Sequence, residues 1–310
     1  MKVFITGATG YIGSVVAEKF QEAGHQVVGL ARSDASAEAL QARGIEVVRG
    51  DLSDTRALAE AARAADGVIH TAFSFEGGDF FSGIAAEEAA VRALIAGAAG
   101  TDKPLIVTSG TGMLGDTGER IFDEDTPVTM PTEQAAEENP GMKAVRGRLQ
   151  TEAAVLGAAG VHGIVLRPPS VYGRSDGGSL LAWLKAAAPS LGAVPYAAGT
   201  AGHLWSFVHV DDLADLYVLA LEADRGDLFH AGAESGVRTK ALAEAMSIAL
   251  GLGGKTVELD ISELGQALGS PFRAGYWALN SQSSGEKARL LLGWQPKHVQ
   301  MLTEIRQRPA

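Results

Sequence analysis

The chain has 310 residues, 46% hydrophobic and 20% charged, and 37 acidic side chains against 26 basic ones give it a formal net charge of −11. This acidity argues against a nucleic-acid partner, which needs concentrated Lys and Arg, and the lack of cysteine excludes disulfides, thiolate metal sites and a cysteine nucleophile. Because no apolar run is long enough for a membrane span and the N-terminus lacks a signal-peptide pattern, we expect a soluble, cytoplasmic protein with a small-molecule substrate and no membrane partner.

Short apolar strands alternate with helical segments through the first half of the chain. Strands so uniformly apolar are typical of a parallel sheet that is covered by helices on both faces. The alternation predicts an α/β fold, a doubly wound parallel Rossmann sheet with right-handed crossovers. Strands are predicted at 2–6, 26–30, 45–48, 67–70, 104–108 and 164–166, with helices at 12–23, 36–42, 55–64, 86–99 and 145–159.

The pattern becomes less regular after about residue 168. Glycine-rich loops are predicted at 173–178 and 192–202, and the later helices, predicted at 211–222, 239–251 and 284–292, are interleaved with irregular segments. We therefore expect a dinucleotide-binding domain over residues 1–168 and a smaller substrate lobe over residues 169–310. Some segments of the second part, such as 206–210, can return to the main sheet.

The strongest motif is TGATGYIG at residues 6–13, directly after the first strand and at the start of the first helix. Gly7 permits the tight turn, Gly10 lets the backbone approach a pyrophosphate, and Gly13 lets the helix pack closely on the strand. The positive helix end then attracts phosphates. The predicted cofactor contacts of this turn are Gly7, Thr9, Gly10, Tyr11, Ile12 and Gly13.

The end of the second strand decides which dinucleotide is preferred. NAD sites place an acid there for the ribose hydroxyls, whereas this chain has Arg32 and Ser33 before its first acid, Asp34. A guanidinium beside a hydroxyl suits a 2′-phosphate, which favours NADP(H), although a solvated surface arginine is the alternative. After the third strand, Asp51 is either an acceptor for the adenine amino group or the N-cap of the next helix.

Six motifs together resemble the short-chain dehydrogenase/reductase superfamily, in its extended NAD-dependent epimerase/dehydratase branch. The resemblance implies that Asp51 and Leu52 contact adenine, that Thr71 and Ala72 line the pyrophosphate and nicotinamide ribose, and that Pro168 to Val171 lie against the nicotinamide. It covers nearly the whole chain. The motifs are TGATGYIG (6–13), GDL (50–52), HTA (70–72), LRPPSVYG (166–173), FVHVDD (207–212) and LGWQP (292–296).

The chain departs from this superfamily at its catalytic residues. The resemblance implies a Tyr-x-x-x-Lys pair on the helix after the fifth strand, but these positions hold Ala144 and Arg148. The usual catalytic hydroxyl aligns with Gly110, although Ser109 and Thr111 flank it. The sequence therefore resembles the atypical members that lack the pair, and we take Ser109 and Thr111 as candidate donors to a carbonyl oxygen.

These features predict an NADPH-dependent reductase of a bulky, aromatic, polyketide-like ketone that itself carries a hydrogen-bond donor. A redox-inactive NADP(H) sensor and an epimerase or dehydratase are the alternatives. His70 ends the fourth strand as a cleft residue or a hydrogen-bonded strand-end histidine. His209, Asp211 and Asp212 have the residue types of a metal or acid/base cluster, but the resemblance implies that the 209–212 segment caps a helix, and we expect no metal there. Assembly is expected to be monomeric or homodimeric. The candidate substrate residues, each with plain packing as its alternative, are Met113, Tyr172, Trp183, His203 and Trp205.

Overall fold

The computed structural model describes residues 1–73, 80–175, 177 and 179–307. Residues 176 and 178 of the predicted glycine-rich loop lie outside this part of the chain. Among the helices that the structure describes, none combines the length and the apolar character needed to cross a bilayer.

The chain forms twelve strands within its described ranges. They are β1 (Lys2–Thr6), β2 (Gln26–Ala31), β3 (Glu46–Arg49), β4 (Gly67–His70), β5 (Pro104–Thr108), β6 (His162–Arg167), β7 (Ser170–Tyr172), β8 (Val194–Ala197), β9 (Leu204–His209), β10 (Leu228–His230), β11 (Glu234–Arg238) and β12 (Thr256–Leu259).

The α-helices follow the strands in the order that a doubly wound fold requires. They are α1 (Tyr11–Glu22), α2 (Asp34–Gln41), α3 (Thr55–Ala64), α4 (Phe80–Ala98), α5 (Glu133–Glu138), α6 (Pro140–Leu156), α7 (Leu180–Leu191), α8 (Val210–Leu219), α9 (Thr239–Ala249), α10 (Ile261–Ala267), α11 (Pro271–Trp277), α12 (Glu286–Leu292) and α13 (Met301–Gln307).

A seven-stranded parallel sheet in the order β10-β6-β5-β4-β1-β2-β3 forms the centre of the molecule. The doubly wound parallel sheet predicted from the alternating pattern is confirmed. The strand order reverses between β1 and β4, and ligands bind at the carboxyl ends of strands beside such a reversal. Two apolar clusters cover the two faces of the sheet, one including Val3, Ile5 and Phe20 and the other Phe4 and Leu58.

The second half of the chain adds a short strand to the sheet, and most of its other strands and helices form a group that we call the second lobe. The segment that returns to the main sheet is β10, which pairs with β6, whereas residues 206–209 belong to β9 in a three-stranded sheet, β11-β9-β7. A third apolar cluster, which contains Trp205, Phe207 and Trp277, fills this lobe. We keep the division at residue 168 as a proposal, with β10 as the segment that crosses it.

Candidate functional site

A cleft of about 1230 Å³ opens at the carboxyl ends of β1, β2, β4 and β5 and extends to α7 and α11 of the second lobe. One end is therefore formed by the glycine turn, and the other by aromatic side chains. The residues from the sequence prediction that line this cleft are Gly7, Thr9, Gly10, Tyr11, Ile12, Gly13, Arg32, Asp51, Leu52, Thr71, Ala72, Ser109, Met113, Ala144, Arg148, Val171 and Trp183.

The turn after β1 has the geometry of a phosphate cradle. Gly7 has a φ of 79°, and a Cβ added there would lie 2.8 Å from the backbone nitrogen of Ala72. A Cβ at Gly13 would lie 2.2 Å from the carbonyl oxygen of Gly7, so helix and turn are in contact there. Gly10 is the N-cap of α1 and has no side chain to occupy the first N–H groups of the helix. These groups can therefore face an anion.

The part of the cleft at the carboxyl end of β2 is lined by one basic side chain and a serine. Arg32 and Ser36 both line the wall. Ser33 instead caps α2, because its hydroxyl oxygen accepts from the backbone nitrogen of Ser36 at 3.2 Å. The carboxylate of Asp34 is ion-paired with Arg49, which also donates to the carbonyl oxygen of Ser33 at 2.7 Å. The acid nearest to this corner is thus neutralised by a second arginine, which the sequence analysis did not single out.

Asp51 lies on the wall of the cleft and does not cap a helix. Its Oδ1 accepts from the hydroxyl of Ser53 at 2.6 Å and from the backbone nitrogen of Ser53 at 2.7 Å. These hydrogen bonds hold the pKa of Asp51 below its usual value. The N-cap of α3 is Asp54, whose side chain accepts from Ala57. Of the two interpretations left open for Asp51, the N-cap is therefore wrong.

The two positions where the resemblance places the Tyr-x-x-x-Lys pair both line the cleft. Ala144 is buried on α6, and Arg148 follows it one turn later. The Nη1 atom of Arg148 lies 2.7 Å from Oε1 of Glu87 on α4, and its guanidinium lies 4.7 Å from the centre of the Phe73 ring. Burial raises the pKa of Glu87 to about 7, against the lowering effect of Arg148. Sequence reasoning missed Glu87, because a helix position in a run of Ala and Glu carries no motif.

Both candidate donor hydroxyls follow β5. Ser109 lines the cleft, whereas Thr111 is buried at the start of a short 3-10 turn over Thr111–Leu114. Neither Ser109 Oγ nor Thr111 Oγ1 has a hydrogen-bond partner within the described ranges. The carbonyl oxygen of Pro168 accepts from the backbone nitrogen of Thr111 at 3.0 Å, which ties the turn to the segment after β6. An unpaired buried hydroxyl on a cleft wall can donate to a ligand.

His70 is fully buried at the end of β4. Its Nδ1 lies 2.8 Å from the hydroxyl oxygen of Thr6, so the hydrogen-bonded strand-end histidine is the interpretation that the structure favours. Burial lowers the pKa of His70 to about 3, and the neighbouring Arg148 acts in the same direction. The imidazole is therefore neutral at physiological pH.

Three of the predicted substrate residues lie in or beside the core of the second lobe. Tyr172 is fully buried and its hydroxyl donates to the carbonyl oxygen of His298. Trp205 is also fully buried and packs on Trp277, with ring centres 5.2 Å apart. The Nδ1 atom of His203 lies 2.8 Å from the carbonyl oxygen of Ala278. Met113 and Trp183, in contrast, line the cleft.

The aromatic end of the cleft is completed by α11. Tyr276 lines it, and its hydroxyl lies 3.1 Å from that of Ser170 at the start of β7. Burial raises the pKa of Tyr276, so the phenol stays protonated. The Trp183 ring packs edge-on against Tyr276 at 6.2 Å, and Phe272 lies nearby at 6.4 Å. Aromatic clustering in the second half was the signal, but the sequence could not tell wall residues from core residues.

The 209–212 segment caps a helix, in agreement with the sequence interpretation. His209 is the N-cap of α8, and its Nδ1 accepts from the backbone nitrogen of Asp211 at 3.2 Å. His209, Asp211 and His298 offer ligand atoms within 4.8 Å of one another. The carboxylate of Asp211 is, however, already paired with the Arg174 guanidinium, 2.5 Å away. A fixed positive charge of this kind opposes a metal ion.

Comparisons with known proteins agree with this fold. The model of the NAD dependent epimerase/dehydratase family matches residues 3–232. The uncharacterized protein C2A9.02 of Schizosaccharomyces pombe is 31% identical, with 98% of each chain covered. The 3-diazoavenalumate denitrifying reductase of a Streptomyces species is 27% identical, over 96% of this chain and 97% of that protein. The UDP-glucose 4-epimerase of Thermus thermophilus, solved with NAD, has a TM-score of 0.74 at 22% identity and covers 99% of this chain and 97% of that one.

Proposed function

The chain belongs to the NAD dependent epimerase/dehydratase family, and from this premise we propose that it is an NADPH-dependent reductase of a bulky, aromatic ketone. At the coarse level, membership makes it an NAD(P)-dependent oxidoreductase or epimerase. A relative that matches along almost its whole length is named a reductase, which supports an oxidoreductase over an epimerase.

The observation that carries the proposal is the composition of the cleft beyond the glycine turn. Its wall there is apolar and aromatic, with Phe73, Met113, Trp183, Tyr276 and Leu279 among the residues that line it. Such surfaces bind planar apolar ligands by burying their area. A polyketide-like aromatic ketone fits this description.

The basic residues on the wall argue against a sugar nucleotide as substrate. Among the described residues that line the cleft, the basic ones are Arg32 and Arg148. Arg32 lies at the adenosine end, and Arg148 is already paired with the buried Glu87. Binding the diphosphate of a sugar nucleotide, in addition to the pyrophosphate of the cofactor, requires further positive charge or N–H donors. We therefore rank an epimerase or dehydratase acting on such a substrate below the ketone reductase.

The residues present fit a nicotinamide dinucleotide. The space around Gly7 and Gly13 leaves no room for a Cβ, and the N-terminus of α1 is open to the pyrophosphate. Arg32 and Ser36 suit a 2′-phosphate, with Asp34 neutralised by Arg49, which is why we propose NADP(H). When bound, the reduced cofactor supplies the hydride.

The chain's own part in the reaction is to hold and polarise the ketone. The unpaired hydroxyl of Ser109 lies on the wall and can donate to the carbonyl oxygen as negative charge develops on it. Thr111, buried at the start of the 3-10 turn two residues later, is the second candidate donor. A phenol on the substrate, beside its ketone, can donate to the same oxygen. Aromatic side chains exclude water around the reacting atoms.

The experiment compares Ser109→Ala and Thr111→Ala with the parent protein, following NADPH oxidation on a panel of aromatic ketones. Each ketone is tested with a free phenol next to the carbonyl and with that phenol methylated. We expect the single variants to keep turnover on the free phenols and to lose at least tenfold on the methylated ones. Ser190→Ala, on an exposed part of α7, is the matched control.

Loss of all turnover on the phenol-bearing ketones in either variant would contradict substrate assistance. Tight NADPH binding with no turnover on any ketone would favour the second candidate function, a redox-inactive NADP(H) sensor. The observation behind that candidate is Ala144, because its methyl group occupies the position where the family resemblance places the phenolic proton donor.

A further inference from the structure

Glu87 is a carboxyl group in an unusual position. It lies on α4, its side chain is 2% exposed, and it nevertheless forms part of the cleft wall. Its Oε1 accepts from Nη1 of Arg148 at 2.7 Å. Its Oε2 is buried and has no hydrogen-bond partner in the part of the chain that the structure describes. One oxygen of the carboxyl is thus fixed, and the other is a buried polar atom without a hydrogen-bond partner among the described residues, in a side chain that forms part of the cleft wall.

The charges around Glu87 do not favour its ionised form. From α6, Arg148 lowers the pKa of Glu87 and Glu152 raises it, and both effects are smaller than that of burial, which brings the pKa to about 7. Both carboxylate oxygens of Glu152 are taken by Arg167, at 2.8 and 2.5 Å. From β4, the buried His70 is neutral. Near neutral pH, Glu87 therefore exists in part as a carboxylic acid, which can donate an O–H.

We propose that Glu87, held in place by Arg148, is the proton donor to the carbonyl oxygen of the substrate. It replaces the phenol that is missing at Ala144, and the proposal rests on the ketone reductase function above. In the step, the hydride and its electron pair go from the reduced nicotinamide to the carbonyl carbon, and the C=O π bond becomes an oxygen lone pair. The O–H bond of Glu87 breaks, the O–H bond of the alcohol forms, and water later returns a proton to the carboxylate.

Arg148 makes this exchange feasible because it is next to the charge that the step creates. As Glu87 loses its proton, the carboxylate gains a charge-assisted hydrogen bond from Nη1. The other acidic hydrogens on the wall are less suited to this role. The phenol of Tyr276 already shares a hydrogen bond with Ser170, and burial raises its pKa away from neutrality. The serine hydroxyl can polarise the oxygen but is a poor proton source.

The test compares Glu87→Gln with the parent, and uses Glu88→Gln as the matched control. Glu88 is the next residue on α4 and pairs with Arg92 on its own helix. Glutamine keeps the size of the protonated acid but cannot release a proton. We expect kcat on an aromatic ketone to fall about 100-fold or more in Glu87→Gln, with the dissociation constant for NADPH unchanged. The Glu88→Gln variant should match the parent in both.

Two pH-dependent readouts separate a proton donor from a structural residue. The kcat of the parent should fall as the pH rises above about 7, since the carboxylate cannot donate, whereas the residual kcat of Glu87→Gln should be flat there. In the ligand-free protein, infrared difference spectra should show a protonated carboxyl stretch that disappears over the same pH range and is missing in Glu87→Gln. This readout does not depend on turnover.

The possible results separate a failure of the role of Glu87 from a failure of the reductase function. Parental kcat in Glu87→Gln, or an infrared spectrum without such a titrating carboxyl, would overturn the role of Glu87 and leave the reductase function standing. A parent protein with no turnover on any ketone would refute the proposed function and the catalytic role with it. If Glu87→Gln bound NADPH more weakly and also melted at a lower temperature than the parent, the residue would have a structural role only.

Discussion

The proposed preference for NADPH should depend on Arg32, and Arg32→Ala is the change that tests it. NADPH and NADH differ only in the 2′-phosphate, so their affinity ratio isolates what binds that group. A hydrogen bond to a charged group contributes about 1.5–3 kcal/mol, and the exposure of Arg32 places it at the lower end because water and salt screen the charge. A loss of about 1.5 kcal/mol corresponds to roughly a tenfold higher dissociation constant for NADPH.

Fluorescence titration of each reduced cofactor measures this effect directly. We expect the dissociation constant for NADH to stay the same in Arg32→Ala and that for NADPH to rise about tenfold, with a smaller rise at high salt. Arg49→Ala should add a further few-fold loss for NADPH, because it frees the carboxylate of Asp34 to repel the phosphate. Arg56→Ala, an exposed arginine paired with Glu60, is the control. Equal losses for both cofactors, or tighter binding of NADH by the parent, would refute the reasoning.

Three further predictions follow from the turn, the core and a buried histidine. Gly13→Ala should abolish measurable NADPH binding, because the new Cβ would lie 2.2 Å from a carbonyl oxygen. The control Gly202→Ala should bind NADPH normally, and fluorescence titration with NADPH measures both variants. Glu152→Gln should lower the free energy of unfolding in urea by about 3–5 kcal/mol, as it breaks a buried ion pair, and the exposed control Glu60→Gln by less than about 1 kcal/mol. His70 stays neutral in the folded chain, with a pKa of about 3, but takes up a proton below about 6.5 once unfolded, so stability should fall as the pH drops; between pH 7 and 5 the parent should lose about 2 kcal/mol more than His70→Asn.

Much of the sheet could be predicted because its strands are buried on both faces. Apolar runs with no polar alternation gave the bounds of β1, β4 and β5 as the structure has them. Helix ends were less accurate: α6 begins at Pro140, five residues before the predicted start, since its first turn carries few apolar side chains and is fixed by the cap of Asn139. The place of β10 in the sheet could not be predicted, because a three-residue strand has no periodicity of its own.

Some residues of the candidate site could also be predicted from the sequence, and others could not. The glycine turn could be predicted because each glycine answers a local steric requirement that the sequence displays. Wall and core aromatics could not be separated, since Trp183 and Trp205 have the same composition signal and differ only in which elements pack around them. Glu87 could not be predicted from the sequence, because its unusual pKa arises from its burial in the folded chain.

Ala144 and Arg148, the two residues of α6 that depart from the pattern of the resembled superfamily, are best understood together with Glu87. Arg148 is largely buried on the wall of the cleft, and an arginine in such a place needs a partner, because an unpaired buried charge is strongly unfavourable. Glu87 meets this need with a single oxygen and leaves the other without a hydrogen-bond partner among the described residues, and Ala144 lines the same cleft. In the role that we propose, an acid on α4 and a guanidinium on α6 perform the functions that the family resemblance assigns to a phenol and an amine on α6. A titratable proton is kept at the cleft, but its pKa is set by burial, and the rate should therefore depend on pH near neutrality.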